Sequence, residues 1–530
     1  MIGIQSKVLK ENFTVILARA ALLASCIIAL VLLSICLSCA SSGETGAATE
    51  SGATVESAET GAASETKGEE NMSLVFDETN YETRTVERDG KTLTYRAFED
   101  IAYVTNPADP DFQRLNVYAP EVYYEGGTIN GYDLRTAPIF MPNTVGGYMP
   151  GPRVKPGDME LGRVNSAFYA LLHGYVVVSP GVRGRGMKNA AGEYIGVAPA
   201  GICDLKAAVR YIKANAGKIP GDTQKIVSNG TSAGGAMSSL LGSTGNHPDY
   251  EKTLKAMGAA DAQDDIFAAS CYCPITNLDH ADMAYEWEFG GINDWVRADY
   301  DHPGNTLSGT MDEERQELSV QLKAAFPAYL NSLQLIDDEG KPLTLDDAGD
   351  GSFKEYVASV VLASAQGQLD KGEDLSSLEW LTIEDGKATH ADFERYVVFR
   401  TRMKPTPAFD NVGLGTPENE LFGTTKTQYR HFTSFSCEHS SVSGEIADAQ
   451  QIKMMNPMNY VSDDQATKAK HFRIRHGTVD RDTSLAISAI LTAKLKAAGV
   501  DANLAYPWGI PHSGDYDLDE LFAWIDQIAQ

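Results

Sequence analysis

A five-residue segment, Gly230-Thr231-Ser232-Ala233-Gly234, has the pattern G-x-S-x-G. The segment Lys225 to Val227 before it predicts a strand, and the Ala, Met, Ser and Leu residues after it predict a helix. At such a strand-to-helix junction the glycines permit a tight turn that exposes the serine hydroxyl. We therefore predict that Ser232 is the nucleophile of an acyl transfer; the context makes an incidental match a poor explanation.

A serine hydroxyl requires a general base, and the base requires an acid that orients it. His512 follows the last predicted strand, and Asp480 follows the strand predicted at Phe472 to Arg475. Open α/β sheets place active groups at the carboxyl ends of strands, so we assign His512 as base and Asp480 as acid. Asp482 is the alternative acid, because spacing cannot separate two carboxylates two residues apart. His476 is expected to shape the loop that holds Asp480.

The oxyanion formed during such an attack requires N–H donors that are already in position. The backbone N–H of Ala233, directly after the nucleophile, is one expected donor. The other should come from the loop at residues 142–147, which follows the strand predicted at Ala137 to Met141. We choose Gly146, with Gly147 as the alternative; an ordinary Gly-Gly turn is the competing interpretation.

Strand and helix patterns alternate through the first half of the chain. Strands are predicted at Leu93 to Val104, Leu115 to Tyr124, Ala137 to Met141, Tyr175 to Ser179 and Ile266 to Ile275, and helices at Ser166 to Leu172 and Gly201 to Lys213. This alternation predicts an α/β fold with a mostly parallel sheet and helices on both faces.

The alternation stops between Thr276 and about Met458, where the chain is acidic, helical and rich in turn residues. It then resumes with a strand at Phe472 to Arg475, a helix at Leu485 to Ala498, a strand at Asn503 to Tyr506 and a helix at Leu518 to Ile528. We therefore predict one core in two parts, residues 73–275 and 458–530, interrupted by a lid domain at 276–457.

The composition excludes some functions. The 44 Lys and Arg residues against 72 Asp and Glu give a net charge of −28, which argues against nucleic acids and against direct adhesion to anionic membranes. A Ser-His-Asp set requires no metal or organic cofactor.

Cys271 and Cys273 are predicted to be buried thiols on one strand face and not a metal site. The disulfide state of these two, of Cys203 and of Cys437 stays open.

The N-terminus predicts an exported protein. A basic start and the apolar run Ala20 to Leu37 indicate a signal peptide at residues 1–39. The segment Leu37-Ser38-Cys39-Ala40 resembles a bacterial lipoprotein box, with Cys39 as the lipidated residue, although Cys36 stands where Leu is usual. An uncleaved anchor is the alternative. Residues 40–72 have the composition of a disordered acidic tether, so we expect an extracellular or cell-surface protein whose only membrane contact is this anchor.

Four sequence blocks, spread in order over nearly the whole folded part, resemble those of the bacterial tannases, which are galloyl esterases. They are Met141 to Tyr148, Gly230 to Gly235, Cys273 to His280 and Arg473 to Ser484. The resemblance implies an α/β-hydrolase fold with a large inserted lid, and a catalytic triad of Ser232, Asp480 and His512.

The resemblance also implies a galloyl pocket in which Lys404, Glu418 and Asp482 hold the phenolic hydroxyls and Ile275 and Pro417 flank the ring. Three adjacent hydroxyls need buried partners, and a substrate that lacks them leaves each partner unpaired at a cost of about 1–3 kcal/mol. Lys404 and Glu418 stand in no motif of their own, and their assignment rests on the family alone.

Two other functions stay open. The same scaffold suits a feruloyl esterase or another aromatic carboxylesterase, which a comparison of gallate and ferulate esters would distinguish. A catalytically silent, tethered binding lipoprotein is disfavoured because Ser, Asp and His occur in the correct order. The sequence does not indicate the preferred alcohol, lid motion or oligomeric state.

Overall fold

The computed structural model describes residues 73–529 apart from Leu161, Tyr300, Asp301 and Pro303. The predicted signal peptide, Cys39 and the tether therefore lie outside the described residues. The described residues of 73–297 and 308–529 group into one compact unit, and the described residues of 298–307 belong to a separate unit. In that short segment the Asp299 N–H donates to the carbonyl of Asn305 (3.0 Å).

The described chain contains fifteen strands. They are β1 Glu82–Arg88, β2 Lys91–Ala102, β3 Arg114–Pro120, β4 Pro138–Pro142, β5 Met159–Glu160, β6 Arg163–Val164, β7 Val176–Pro180, β8 Asp222–Thr231, β9 Ala268–Tyr272, β10 Asp294–Ala298, β11 Thr306–Thr310, β12 Leu381–Glu384, β13 Lys387–Ala391, β14 His471–Arg475 and β15 Asp501–Ala505.

The described α-helices are α1 Ser166–His173, α2 Ala200–Ala214, α3 Ala233–Ser243, α4 Glu251–Ala256, α5 Leu278–Phe289, α6 Glu313–Ser332, α7 Ser352–Leu369, α8 Phe393–Arg400, α9 Pro417–Leu421, α10 Ser434–Glu438, α11 Ala449–Lys453, α12 Leu485–Ala497 and α13 Leu518–Ala529. Short 3₁₀ helices lie at Glu121–Glu125, Pro248–Tyr250 and Pro457–Asn459.

Nine strands form the main sheet, in the order β1-β2-β3-β7-β4-β8-β9-β14-β15. The first three strands are antiparallel, and the six from β7 to β15 run parallel. Every residue of β4, β7 and β9 is buried, as expected for apolar strands covered on both faces. The carboxyl ends of the six parallel strands therefore meet at one edge of the sheet.

Helices cover both faces of this sheet. Successive side chains of a strand point to opposite faces, so adjacent residues of β4 pack against different helices. Phe140 packs in a cluster with Phe168 of α1 and Phe522 of α13, whereas the adjacent Ile139 packs in a second cluster with Val209 of α2 and Leu240 of α3. The predicted fold class, an α/β hydrolase with a mostly parallel sheet between helical layers, is confirmed.

Two predicted strands are shorter than expected. The strand predicted to reach Tyr124 ends at Pro120 and gives way to a 3₁₀ helix, since proline has no N–H to donate to a neighbouring strand. The strand predicted to reach Ile275 ends at Tyr272, because Cys273 has a positive φ of 35°. Cys273 thus lies past the strand, and the prediction of both thiols on one strand face was wrong.

A long insertion separates β9 from β14, which are neighbours in the sheet. It contains α5 to α11, the hairpin of β12 and β13, and the strands β10 and β11. The sheet thus resumes after the insertion, and the role of the insertion as a lid stays a prediction. None of the described helices has the length and apolar character that crossing a membrane requires.

Candidate active site

Ser232 occupies the turn between β8 and α3. Its backbone is strained, with φ 62° and ψ −123°, in the region that non-glycine residues rarely adopt. The Ser232 N–H donates to the carbonyl of Tyr272 (2.9 Å), and the Ser232 carbonyl accepts from the N–H of Ala236 and of Ile275. These bonds fix the turn on β9, so the serine side chain is presented at the carboxyl edge of the sheet.

The glycines around Ser232 are required by close contacts. A Cβ atom at Gly230 would lie against the Gly234 carbonyl and only 2.6 Å from Asn143 Nδ2. The Asn143 side chain donates to the carbonyls of Asn229 (3.3 Å) and Gly234 (3.2 Å) and to Ser238 Oγ (2.9 Å). A buried amide thus ties the loop after β4 to the serine turn, a role that the sequence did not reveal.

His512 and Asp480 form a direct pair. His512 Nδ1 lies 2.8 Å from Asp480 Oδ2, and the N–H of Asp482 donates to the other Asp480 oxygen (2.8 Å). Of the two candidate carboxylates, Asp480 is therefore the one that contacts His512. Among the described residues, His512 Nε2 has no hydrogen-bond partner, and His512 and Ser232 line the same cavity.

Asp480 and His512 shift each other's pKa in the direction that favours the charged form of both groups. Burial alone would raise the pKa of Asp480, but His512 and His476 hold it well below its ordinary value. Burial alone would lower the pKa of His512, whereas the anion of Asp480 raises it well above its ordinary value. Burial lowers the pKa of His476 to about 4, so His476 is neutral near pH 7 and bonds Ser488 Oγ (2.9 Å).

A thiol lies beside the pair. Cys273 Sγ, a ring nitrogen of His512 and an oxygen of Asp480 all lie within 4.8 Å of one another. The Cys273 thiol donates to the carbonyl of Ser513 (3.4 Å), and burial raises its pKa. The group is a protonated neighbour of the histidine, and Cys203, Cys271 and Cys437 are also free thiols.

One predicted oxyanion donor directly follows the serine, and the other lines the same cavity as the serine. Ala233 is the first residue of α3 and is fully buried. Gly146 lines the cavity that contains Ser232 and His512. Gly147 does not line it, and its carbonyl accepts from Arg185 Nε (2.6 Å). This placement favours Gly146 over Gly147 as the second donor.

The three predicted polar contacts of the substrate ring come together in a buried group. Lys404 Nζ lies 2.8 Å from Asp482 Oδ1, and both side chains are largely buried. Burial raises the pKa of Glu418 to about 7, against the opposing charge of Lys404. Burial alone would lower the pKa of Lys404, but Asp482 and then Glu418 raise it, so the ammonium stays charged.

Ile275 and Pro417, the two residues predicted to flank the substrate ring, lie in different parts of the fold. Ile275 follows β9, is buried, and its carbonyl accepts from the Tyr148 hydroxyl (2.6 Å). Pro417 is the first residue of α9, a helix that the Thr416 side chain caps, and it stands directly before Glu418. The capped start of α9 therefore fixes the direction in which Glu418 leaves the backbone.

Residues of the insertion contact Asp480 and Lys404 and hold them in place, and the sequence did not predict these contacts. Arg400 at the end of α8 pairs with Glu288 of α5 and donates to the backbone carbonyl of Asp480. The Tyr285 hydroxyl accepts from the Lys404 N–H (3.0 Å) and donates to the Arg481 carbonyl (3.0 Å). These residues stand in no recognisable motif, so only the folded chain identifies them.

A strained serine turn and an Asp–His pair on a mostly parallel sheet define the chain as an α/β hydrolase. The crystal structure of a tannase from Lactobacillus plantarum is 45% identical, covers 86% of this chain and 99% of that chain, and has a TM-score of 0.84. The tannase of Fusobacterium nucleatum is 46% identical over 87% and 100% of the two chains, with a TM-score of 0.83. The chain belongs to the bacterial tannases, and thus to the ester hydrolases.

A related structure contains a ligand. A tannin acyl hydrolase in complex with ethyl gallate is 47% identical, covers 86% of this chain and 99% of that chain, and has a TM-score of 0.83. A family model described as BD-FAE matches residues 146–319. No curated protein sequence is significantly similar to the chain.

The Asp480–His512 pair predicts a pH dependence for Ser232. Only neutral His512 can accept the serine proton, so labelling by a fluorophosphonate probe should rise with pH through a midpoint above about 6.5. Asp480→Asn removes the anion that raises the His512 pKa. Its midpoint should therefore move to lower pH, and its plateau rate should fall by up to about 10⁴-fold.

Asp501→Asn, a change at an exposed carboxylate paired with His471, is the matched control and should leave the profile unchanged. An unshifted midpoint in Asp480→Asn would contradict the pairing.

Proposed function

We propose that the protein is a serine esterase that hydrolyses galloyl esters to gallic acid through a galloyl-enzyme intermediate. The observation that carries this proposal is the Asp480–His512 pair, which shares a cavity with the strained Ser232. The buried Lys404, Asp482 and Glu418 group supports the choice of the acyl group. Family membership supports the same choice, since a related tannin acyl hydrolase binds ethyl gallate.

The reaction proceeds in two acyl transfers. His512 Nε2 accepts the hydroxyl proton of Ser232 while Oγ attacks the ester carbonyl, and the N–H groups of Ala233 and Gly146 stabilise the oxyanion. The tetrahedral intermediate collapses, the ester C–O bond breaks, and His512 gives its proton to the leaving alcohol. Water then attacks the galloyl-enzyme with His512 again as base, and gallic acid leaves as Ser232 recovers its proton.

The polar group suits a ring with three adjacent hydroxyls. Ionised Asp482 accepts from a phenolic O–H, and the Lys404 ammonium donates to a phenolic oxygen. Glu418, with its pKa near 7, accepts when ionised and also donates when protonated. A ring that lacks these hydroxyls leaves buried groups unpaired, which is a strong basis for rejection.

Replacement of the nucleophile tests the mechanism. Ser232→Ala should abolish hydrolysis of methyl gallate, because it removes the hydroxyl that forms the acyl-enzyme, while circular dichroism shows an unchanged fold. Ser376→Ala, at an exposed serine, should keep wild-type turnover. Retained turnover in Ser232→Ala would exclude the proposed triad.

Replacement of the buried cation tests the acyl group. The wild-type protein should prefer methyl gallate to methyl ferulate, and Lys404→Met should raise KM for methyl gallate at least about tenfold because a charged hydrogen bond is lost. The preference for gallate should therefore shrink.

Lys426→Met changes an exposed lysine of the same insertion and should have no effect. A wild-type preference for ferulate would instead support the feruloyl esterase interpretation and reject the roles of Lys404, Glu418 and Asp482.

We also propose that the protein is exported and lipid-anchored through Cys39, on the strength of the apolar N-terminal run and the Leu37–Ala40 box. In a bacterial host, the wild-type protein should incorporate radiolabelled palmitate, and Cys39→Ser should not. Cys26→Ser, at a cysteine of the same apolar run outside the box, should keep the label. Labelling that persists in Cys39→Ser would reject this anchor.

A further inference from the structure

The segment between α8 and α9 carries Lys404 and leads into Glu418, but it has little structure of its own. Within the described residues 401–416 there is no helix or strand, and only Arg402 forms an isolated β-bridge. Side chains on an irregular segment are held in one direction only if other elements fix the backbone beneath them. The positions of Lys404 and Glu418 therefore depend on contacts from outside this segment.

One face of α5 supplies these contacts. Asp282, Tyr285 and Glu286 are three and four residues apart, so their side chains leave the helix on the same face. The Tyr285 hydroxyl accepts from the N–H groups of residues 403–404, and Glu286 Oε1 accepts from the Thr406 hydroxyl (2.7 Å). This face of α5 thus binds the first part of the irregular segment.

Asp282 binds the segment further along, at the turn formed by Phe409 and Asp410. Asp282 Oδ1 accepts from the Phe409 N–H (2.8 Å), and Oδ2 accepts from the Asp410 N–H (2.9 Å). Asp282 is only 3% exposed and has no cationic partner in the described part of the chain, and burial raises its pKa to about 7. A buried carboxylate without a cation is costly, and the two N–H bonds to the turn offset that cost.

The turn reaches Lys404 through the aromatic ring of Phe409. Lys404 Nζ lies 4.2 Å from the centre of this ring, which is fully buried. A cation at that distance is attracted to the face of an aromatic ring. A displacement of the Phe409 backbone would therefore move the surface against which the ammonium lies.

The turn also reaches Glu418, through the start of α9. Asp410 Oδ1 accepts from Asn419 Nδ2 (2.7 Å), and the Phe409 carbonyl accepts from the Thr416 hydroxyl. Thr416 and Asn419 form the capping box of α9, and Glu418 lies between them in the chain. The two N–H groups that Asp282 binds thus belong to the two residues that hold the beginning of this helix.

We propose that Asp282 is a positioning residue that determines specificity for the galloyl ring, because it fixes Lys404 and Glu418 relative to each other through the turn at 409–410. This inference rests on the proposed function. Asp282 acts through Phe409 and Asp410. Its replacement should therefore weaken recognition of the ring hydroxyls more than it weakens the chemistry at Ser232.

The test compares methyl gallate with p-nitrophenyl acetate, whose acyl group has no ring. Asp282→Asn places an NH₂ donor against a backbone N–H, so the turn must shift. At about pH 8, where Asp282 is ionised, KM for methyl gallate should rise about tenfold while kcat changes less than about twofold. The ratio of kcat/KM for methyl gallate to that for p-nitrophenyl acetate should fall about tenfold.

A matched control separates positioning from a general loss of stability. Asp264 is a carboxylate that is 1% exposed, lies outside the insertion and pairs with Lys206 (2.7 Å). Asp264→Asn should lower the melting temperature and leave the ratio of the two esters unchanged. Phe409→Leu, which keeps an apolar side chain but removes the ring beside Lys404, should lower the ratio as Asp282→Asn does.

The outcomes separate the two proposals. An unchanged ratio in Asp282→Asn, with equal losses on both esters or no loss on either, would overturn the positioning role while galloyl ester hydrolysis stands. If circular dichroism shows that Asp282→Asn does not fold, the ratio in Phe409→Leu decides in the same way. A wild-type protein that does not hydrolyse methyl gallate would reject the proposed function and this inference with it. A selective loss on methyl gallate would support both.

Discussion

The site depends on one buried negative charge. Asp480 is fully buried, and a carboxylate without water must be compensated by cations, hydrogen bonds or both. Here His512 and the N–H of Asp482 bind its two oxygens, and Arg400 binds its backbone carbonyl. The compensation comes from the C-terminal loop, the acid loop itself and the insertion. Removal of the charge would therefore disturb three parts of the chain together.

Two neighbouring carboxylates, Asp480 and Asp482, have different partners. Asp480 is directed to His512, and Asp482, two residues later, is directed to Lys404. The Asp482 backbone bonds Asp480 while its side chain faces the lysine, so one short turn joins the proposed catalytic pair to the proposed ring contacts. A movement of this turn would therefore displace both carboxylates together. Glu288 stiffens it by accepting from Ser484 Oγ (2.6 Å) and the Leu485 N–H (2.8 Å).

The sequence predicted the parts of the molecule that depend on local patterns. The serine turn was predictable because its glycines are needed by contacts within a few residues, and Asp480 and His512 were predictable because strand ends converge. The parallel strands were also predictable, because a continuous apolar run is a local pattern in the sequence.

Contacts formed across the insertion were not predictable. Arg400, Tyr285 and the thiol of Cys273 reach the site through tertiary packing, and no spacing in the sequence encodes that. Lys404 and Glu418 were assigned only by family resemblance, since isolated charges in a helical segment are usually solvated. The end of β9 was also missed, because a positive φ at Cys273 is a property of the folded turn.

The pairing of β9 with β14 has a consequence for folding kinetics. These adjacent strands join residues such as Tyr272 and Arg475, which the whole insertion separates along the chain. Contacts between distant segments form slowly, because a large loop must close before they are made. Ser232 is bonded to β9, whereas Asp480 follows β14. During refolding, esterase activity should therefore recover only when β9 pairs with β14, and not when either half of the sheet forms earlier.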